Sequence, residues 1–327
     1  MTVPQKIASA RPAVVVTRRL PAPVEAAVAA SFDARLNPDD TPLTAAELRG
    51  ALATADAILC TVTDRFDAAL IGDEALRCRL LANFGVGYNH IDVGCARAAG
   101  IAVSNTPDVL TEATADLTIA LMLAVARRMG EGERLVRSGQ WHGWAPTALL
   151  GRMVSGATLG IVGYGRIGRA VATRARLGFG MRVLCHTRRR TSTGDGVEWR
   201  ASVDDMLSEC DFVSLHCPAT PETHHLMNGR RLALMRPSAY LINTARGDVI
   251  DEAALGRALR TGVIAGAGLD VYEREPAIAA DLVALENVVL LPHLGSATEA
   301  TRIAMGLRAV ANLRAFFDDG SVPDRVG

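Results

Sequence analysis

The sequence predicts an α/β protein built on mostly parallel sheets, and three observations carry that expectation. Short apolar, β-branched runs alternate with Ala- and Leu-rich stretches of helical period. One such run, Leu159–Val162, leads straight into Gly163, Gly165 and Gly168 at G-x-G-x-x-G spacing, then Ala170, Val171 and Ala172. A chain of 327 residues is also long enough for two domains, each with its own core.

The elements follow in order. Ala13–Thr17 is a buried strand closed by Pro21 and Pro23, and Ala57–Thr61, Leu80–Phe84 and Ile101–Ser104 continue the series. Phe84 to Ile91 (F-G-V-G-Y-N-H-I) reads as a strand end and a two-glycine turn. Its successive amides suit a small anion-binding nest, although an ordinary turn has the same composition. Glu112–Met129 is apolar on nearly every face, which predicts a helix buried between domains or subunits. Gly139–Trp144 places two of the three tryptophans in a loop. Beyond the glycine-rich turn, strands are expected at 182–187, 212–216, 240–243, 266–271 and 288–291, and a final helix at 299–317.

Composition narrows the partners. The apolar fraction is 49%, and 35 acidic residues balance 35 basic ones, which argues against nucleic acid or an acidic membrane as the main target. No apolar run reaches the roughly 18 residues a membrane span needs, and Met1–Arg11 has no signal-peptide core. Cys60, Cys78, Cys95, Cys185, Cys210 and Cys217 are scattered without a C-x-x-C pair, so reduced thiols are expected rather than disulfides or a metal site. A soluble cytoplasmic protein is the expectation.

The glycine-rich stretch has a physical reading. Gly163 permits the turn, Gly165 lets a pyrophosphate approach the backbone, and Gly168 lets the helix sit close on the strand. The next strand ends about nineteen residues after Gly168, where a βαβ unit reads the ribose. Arg246 and His293 each fall just past a later strand end, and Glu275 lies just past the strand carrying Asp270. An arginine forks onto carboxylates, a carboxylate orients an imidazole, and an imidazole passes protons near neutral pH. Singly, each residue is equally compatible with a turn histidine, a surface acid or an ion-paired arginine.

The motifs together resemble the D-isomer specific 2-hydroxyacid dehydrogenases, most of all the glyoxylate/hydroxypyruvate reductases. They are N-F-G-V-G-Y-N-H-I-D (83–92), N-T-P-D-V-L-T-E-A-T-A-D (105–116), the G-x-G-x-x-G (163–168), L-I-N-T-A-R-G-D-V-I-D (241–251), G-L-D-V-Y-E-R-E-P (268–276) and L-P-H-L-G-S-A-T (291–298). The resemblance implies two Rossmann-like or flavodoxin-like lobes with an active-site cleft between them. The substrate lobe would be 1–105 with 296–327, the dinucleotide lobe 106–295. It also implies a homodimer in which the helix near 112–129 meets the partner. The implied catalytic set is Arg246, Glu275 (rather than Glu273) and His293.

In that mechanism hydride passes to the C2 carbonyl of a 2-oxo acid and protonated His293 donates to its oxygen. Glu275 favours the protonated form of His293. Arg246 and the amides of Val86 and Gly87 hold the carboxylate. Trp141 or Trp144 closes over the substrate, from the same or the neighbouring subunit. The cofactor contacts implied are Thr114, Gly163, Gly165, Arg166, Ile167, Gly168, Thr187, Arg188, Arg189, Cys217, Pro218, Thr223, Thr244, Ala245, Asp270, His293 and Gly295.

Cofactor choice also has a residue-level argument. An NAD enzyme of this shape needs an acid at the end of the second strand. Here Thr187 stands there, followed by Arg188-Arg189-Arg190, with no acid before Asp195. That pattern suits the 2′-phosphate of NADPH, with NADH as the lesser possibility. Glyoxylate and hydroxypyruvate are the expected substrates. An aromatic 2-oxo acid such as hydroxyphenylpyruvate is the alternative, and Glu275 argues against formate oxidation, where the family carries Gln. A dinucleotide-sensing binding protein is the reading from another class.

Overall fold

The computed structural model describes residues 11–72, 76–190 and 196–327, so Asp195 and most of the Met1–Arg11 segment lie outside the described residues. The chain divides into two compact units. One takes the residues up to Leu110 together with Thr298–Gly327, and the other takes Thr111–Ala297.

The first unit holds β1 (Ala13–Val16), β2 (Asp33–Arg35), β3 (Ala57–Cys60), β4 (Leu80–Asn83) and β5 (Ala102–Ser104), all parallel in the order β2-β1-β3-β4-β5. Every residue of β3 and β4 is buried, as expected of parallel strands covered on both faces. Val15, Ile58, Leu81 and Val103 form one row across the sheet and enter one core with Leu48, Leu52, Phe66 and Ile91. The helices Ala22–Ser31 and Glu299–Asp319 pack on each other, and the latter packs on β4. The chain's end is tied to this unit by Asp324, which takes Arg308 at 2.7 and 2.9 Å and Asn312 Nδ2 at 2.9 Å. Asn105 N donates to its carbonyl, and Val326 N donates to Val103 O. The carboxyl ends of β3 and β4 thereby present Thr61–Asp64 and Phe84–His90 as turns.

The second unit holds β6 (Thr158–Val162), β7 (Arg182–His186), β8 (Glu198–Arg200), β9 (Phe212–Leu215), β10 (Tyr240–Asn243), β11 (Gly266–Leu269) and β12 (Val288–Leu290). Their order, β8-β7-β6-β9-β10-β11-β12, is the doubly wound dinucleotide-binding order with one further strand. The topological switch lies between β6 and β9, at the end of the glycine-rich strand. The helix Thr111–Ala126 crosses β10, β11 and β12 and packs on the helix Arg166–Phe179. The α/β class with two parallel sheets, expected from the sequence, is therefore the architecture found.

Two features differ from the expectation. β2 and β8 were not foreseen: each is a three-residue edge strand, D-A-R and E-W-R, without the apolar run that marks central strands. The helix expected over 112–129 ends at Ala126, because Arg128 turns left-handed (φ 53°) and Arg152 N donates to the Ala126 carbonyl at 2.8 Å. A second helix, Met129–Arg137, then begins with no side-chain cap. Thr114, Ala115, Thr118, Leu121, Met122 and Val125 of the first helix are buried, as its apolar pattern predicts.

Asp324→Ala removes acceptors from Arg308 and Asn312 together, and is expected to cost about 2–3 kcal/mol. The measurement is the denaturant midpoint of the variant, and an unchanged midpoint refutes the anchoring role.

Candidate active site

The glycine-rich turn is built as a phosphate cradle. Gly163 adopts φ +94°, and a Cβ there would stand 2.6 Å from the Cys217 amide nitrogen, so only glycine fits. A Cβ on Gly168 would overlap the Gly163 carbonyl. Gly165 is different: a Cβ there meets nothing within 4 Å. That open space lies at the N-terminus of the helix Arg166–Phe179, whose first amides no side chain caps. A dinucleotide pyrophosphate fits the cradle, since the uncapped amides and the helix dipole both favour an anion. The Cys217 thiol beside it is buried and pushed up to about 11 by that burial, so it stays a neutral wall. Burial likewise drives His216 down to about 4, so this imidazole brings no charge to the phosphates. Thr223 closes the Pro218–Thr223 loop, donating to Pro218 O at 2.6 Å and accepting from Thr220 N at 2.8 Å.

At the end of β7 the arrangement differs in detail from the sequence reading. The Thr187 hydroxyl donates to Arg189 O at 2.6 Å and accepts from the Trp199 indole at 3.3 Å. Its only proton is committed, so Thr187 shapes the turn, on which Arg188, Arg189 and Arg190 are all exposed. Arg190 lies over the Trp199 ring, 5.7 Å from its centroid.

The turns after β10, β11 and β12 bring Arg246, Glu275 and His293 together. Asn243 shapes the first of them, accepting from Ala245 N at 3.0 Å and donating to Arg246 O at 2.9 Å. Gly247 lies so close to the Tyr272–Glu273 backbone that a Cβ would overlap it, which sets this turn against the next. There Tyr272 N donates to Glu275 Oε1 at 3.0 Å, and the Tyr272 hydroxyl donates to Leu291 O at 2.8 Å. Glu275 Oε2 meets His293 Nδ1 at 2.8 Å, which leaves Nε2 as the ring's outward nitrogen. Burial alone would raise the Glu275 carboxyl. The bond and charge of His293, the Tyr272 amide and the Arg246 charge outweigh it and hold the group below its ordinary range. Arg246 is pulled down by burial and up by Glu275 and Asp248, and a guanidinium stays charged through such a shift.

Asp270 underlies this arrangement. Its carboxylate accepts from Leu294 N at 2.6 Å and Gly295 N at 2.8 Å, while its carbonyl accepts from His293 N at 2.9 Å. His293 is thereby fixed in a left-handed conformation, φ 55°, which a non-glycine residue enters only when held. Beside it, Thr118 Oγ1 bonds Thr244 Oγ1 at 2.8 Å and donates to Thr114 O at 2.8 Å, and Thr114 borders Gly295.

In the other unit, the turn after β4 leaves amides without acceptors. The Val86 and Gly87 amides donate to no acceptor among the described residues, whereas the carbonyls of Gly85, Val86 and Gly87 all accept bonds. Trp141 forms no hydrogen bond or ring contact among the described residues, and Trp144 is 84% exposed. Sequence reasoning missed Asn243, Tyr272, Thr118 and Trp199. Asn243 acts through local bonds at which the N-T-A-R-G run hinted, whereas Tyr272, Thr118 and Trp199 each bond a residue twelve or more positions away.

The comparisons agree with this geometry. The pattern described as D-isomer specific 2-hydroxyacid dehydrogenase, NAD binding domain, matches residues 119–295. Glyoxylate reductase of Thermococcus kodakarensis is 46% identical over 320 residues, covering 96% of this chain and 95% of the relative. The TT0316 protein of Thermus thermophilus superposes with a TM-score of 0.88 at 45% identity, covering 96% of this chain and all of that one. The NADPH-dependent glyoxylate/hydroxypyruvate reductase of Sinorhizobium meliloti, solved with NADP and malonate, gives a TM-score of 0.87 at 36% identity, covering 97% of each chain. With a dinucleotide cradle and an arginine–glutamate–histidine cluster on one sheet edge, and relatives of this identity over nearly its whole length, this chain belongs to the D-isomer specific 2-hydroxyacid dehydrogenases, an NAD(P)-dependent oxidoreductase family.

Proposed function

We propose that the protein reduces a small 2-oxo acid, glyoxylate or hydroxypyruvate, to the 2-hydroxy acid with NADPH. The observation that carries the reading is the 2.8 Å His293–Glu275 pair beside Arg246, on the carboxyl edge of the dinucleotide-binding sheet. Relatives named glyoxylate reductase, at 43–48% identity, support the substrate class.

When bound, the reduced nicotinamide supplies the hydride that goes to the carbonyl carbon. His293 donates a proton from Nε2 to the carbonyl oxygen, and Glu275 stabilises the charge the ring carries beforehand. Arg246 binds the substrate carboxylate and draws electron density from the carbonyl. The amides of Val86 and Gly87 are assigned to the same carboxylate. Gly163, Gly165, Arg166, Ile167 and Gly168 hold the pyrophosphate, and Cys217, Pro218 and Thr223 form the wall beside it. Thr114, Thr244, Ala245, Asp270 and Gly295 border the nicotinamide. Arg188 and Arg189 take the 2′-phosphate on the turn that Thr187 shapes.

We assign two domains on the same reading, a substrate domain and an inserted dinucleotide domain, and a homodimer in the cytoplasm. The six free cysteines, five of them buried, suit a reducing compartment. The dimer contact is assigned to residues 129–153, which expose Met129, Val136, Trp141, Trp144, Leu150 and Met153. Trp141 then reaches the partner's substrate.

Absorbance at 340 nm tests the central reading. NADPH is expected to be oxidised with glyoxylate and hydroxypyruvate faster than NADH, and faster than with hydroxyphenylpyruvate. In the Arg188→Ala, Arg189→Ala double variant the NADPH advantage should fall by at least about tenfold. Equal losses for both cofactors would remove the 2′-phosphate assignment.

His293→Gln should lower kcat/KM by about 10²- to 10⁴-fold while leaving NADPH binding intact. Glu275 stays ionised through the neutral range because its carboxyl is held low. Glu275→Gln removes that negative charge, destabilises the imidazolium and moves the alkaline limb of the reduction profile to lower pH. A limb that stays in place rejects the pair's role.

Sedimentation should give twice the mass of one chain, and Trp144→Glu with Leu150→Glu should give a monomer. A wild-type monomer would discard the dimer.

A further inference from the structure

The turn after β4 presents amides only because other side chains dispose of its carbonyls. A peptide turn carries as many acceptors as donors, and a carbonyl oxygen facing an anion cancels the attraction of a neighbouring amide. Here three consecutive carbonyls are taken by the chain itself. Gly85 O accepts from Asn83 Nδ2 at 3.0 Å and from Thr106 N at 3.1 Å. Val86 O accepts from Asn105 Nδ2 at 2.9 Å, and Gly87 O accepts from Asn83 Nδ2 at 3.1 Å. The Gly85 amide turns back to Asn83 O at 3.0 Å. Among the described residues the amides of Val86 and Gly87, and of Tyr88 after them, have no acceptor.

We infer that Asn83, oriented by His90, and Asn105 are positioning residues that fix the first two of these amides for the substrate carboxylate. The inference rests on the assignment of the Val86 and Gly87 amides made under the proposed function.

Asn83 is the centre of the device. At 1% exposure its amide cannot exchange these partners for water. Its Nδ2 faces two carbonyl oxygens, so both of its protons are used. Its Oδ1 faces His90 Nε2 at 3.1 Å, which must therefore be the protonated nitrogen. Rotating the amide half a turn would set Oδ1 against two carbonyls, and His90 removes the incentive to rotate. No other residue type supplies two parallel donors and one acceptor at this length. Aspartate has the shape and lacks the donors, serine has one donor, and glutamine is a carbon too long. Asn105 secures the middle carbonyl independently, from the segment that follows β5.

The test uses the full-length protein with NADPH. Asn105→Ala, which removes one bond, should raise KM for glyoxylate about fivefold, and the isosteric Asn83→Asp more than about tenfold. In both, kcat at saturation should stay within about twofold, and the NADPH dissociation constant should be unchanged, because the dinucleotide residues belong to the other unit. A general loss of structure would move all three together. The direct readout is the ¹⁵N–¹H shift of the Val86 and Gly87 amides on titration with oxamate in the presence of NADPH. If these amides do not respond in the wild type, the carboxylate assignment itself is wrong. If they respond there, and Asn105→Ala keeps both the wild-type shifts and the wild-type KM, the positioning inference is overturned. Asn105→Ala decides the case should Asn83→Asp fail to fold.

Discussion

Two amide hydrogen bonds to Asp270 hold the site in place. A histidine at φ 55° does not stay there unaided, and the chain after β12 has no regular structure of its own until the helix at Glu299. The Asp270 carboxylate supplies what is missing, by gathering the Leu294 and Gly295 amides while its carbonyl takes that of His293. Burial raises the Asp270 carboxyl, and the Leu294 amide, the His293 charge and the Gly295 amide work against that rise. The group that orders the backbone and the group assigned to proton transfer are thus electrostatically linked. Glu275 meets His293 from the neighbouring turn, so the ring is fixed by its backbone on one side and by Nδ1 on the other.

The same logic recurs after β10, β11 and β4. Asn243 ties Ala245 and Arg246, Tyr272 ties β11 to Leu291, and Asn83 ties the two-glycine turn. In each case a buried polar side chain spends its hydrogen bonds on nearby backbone, and what is left facing outward is chemically specific. The sheets provide only the platform. The chemistry depends on which backbone groups these side chains have already used.

The sequence made the platform and the principal reactive groups legible, because those signals are local. Apolar runs such as A-V-V-V and L-L-A-N mark buried strands through burial on both faces, and G-x-G-x-x-G marks the turn through steric need. Arg246, Glu275 and His293 were visible because each stands just past such a run. What escaped was non-local. The D-A-R and E-W-R strands exist because a neighbouring edge was available to pair with, not because of their own pattern. The helix break at Arg128 depends on Arg152, twenty-four residues on, taking a carbonyl. Trp199 and Thr118 gain their roles from partners elsewhere in the chain, Thr187 and Thr244.

Thr187 has a consequence for any attempt to redesign the protein's redox currency. An acid is the usual device for favouring the unphosphorylated dinucleotide, and position 187 is where it would be placed. Yet the hydroxyl there is a keystone, accepting from Trp199 and donating to Arg189 O. A carboxylate could inherit the first bond but not the second, since it has no proton to give and would face the carbonyl as a second acceptor. Such an exchange would alter ligand preference and unpin the loop at once, confounding one with the other. The arginines that follow, whose side chains donate to no backbone carbonyl among the described residues, are the cleaner place to intervene.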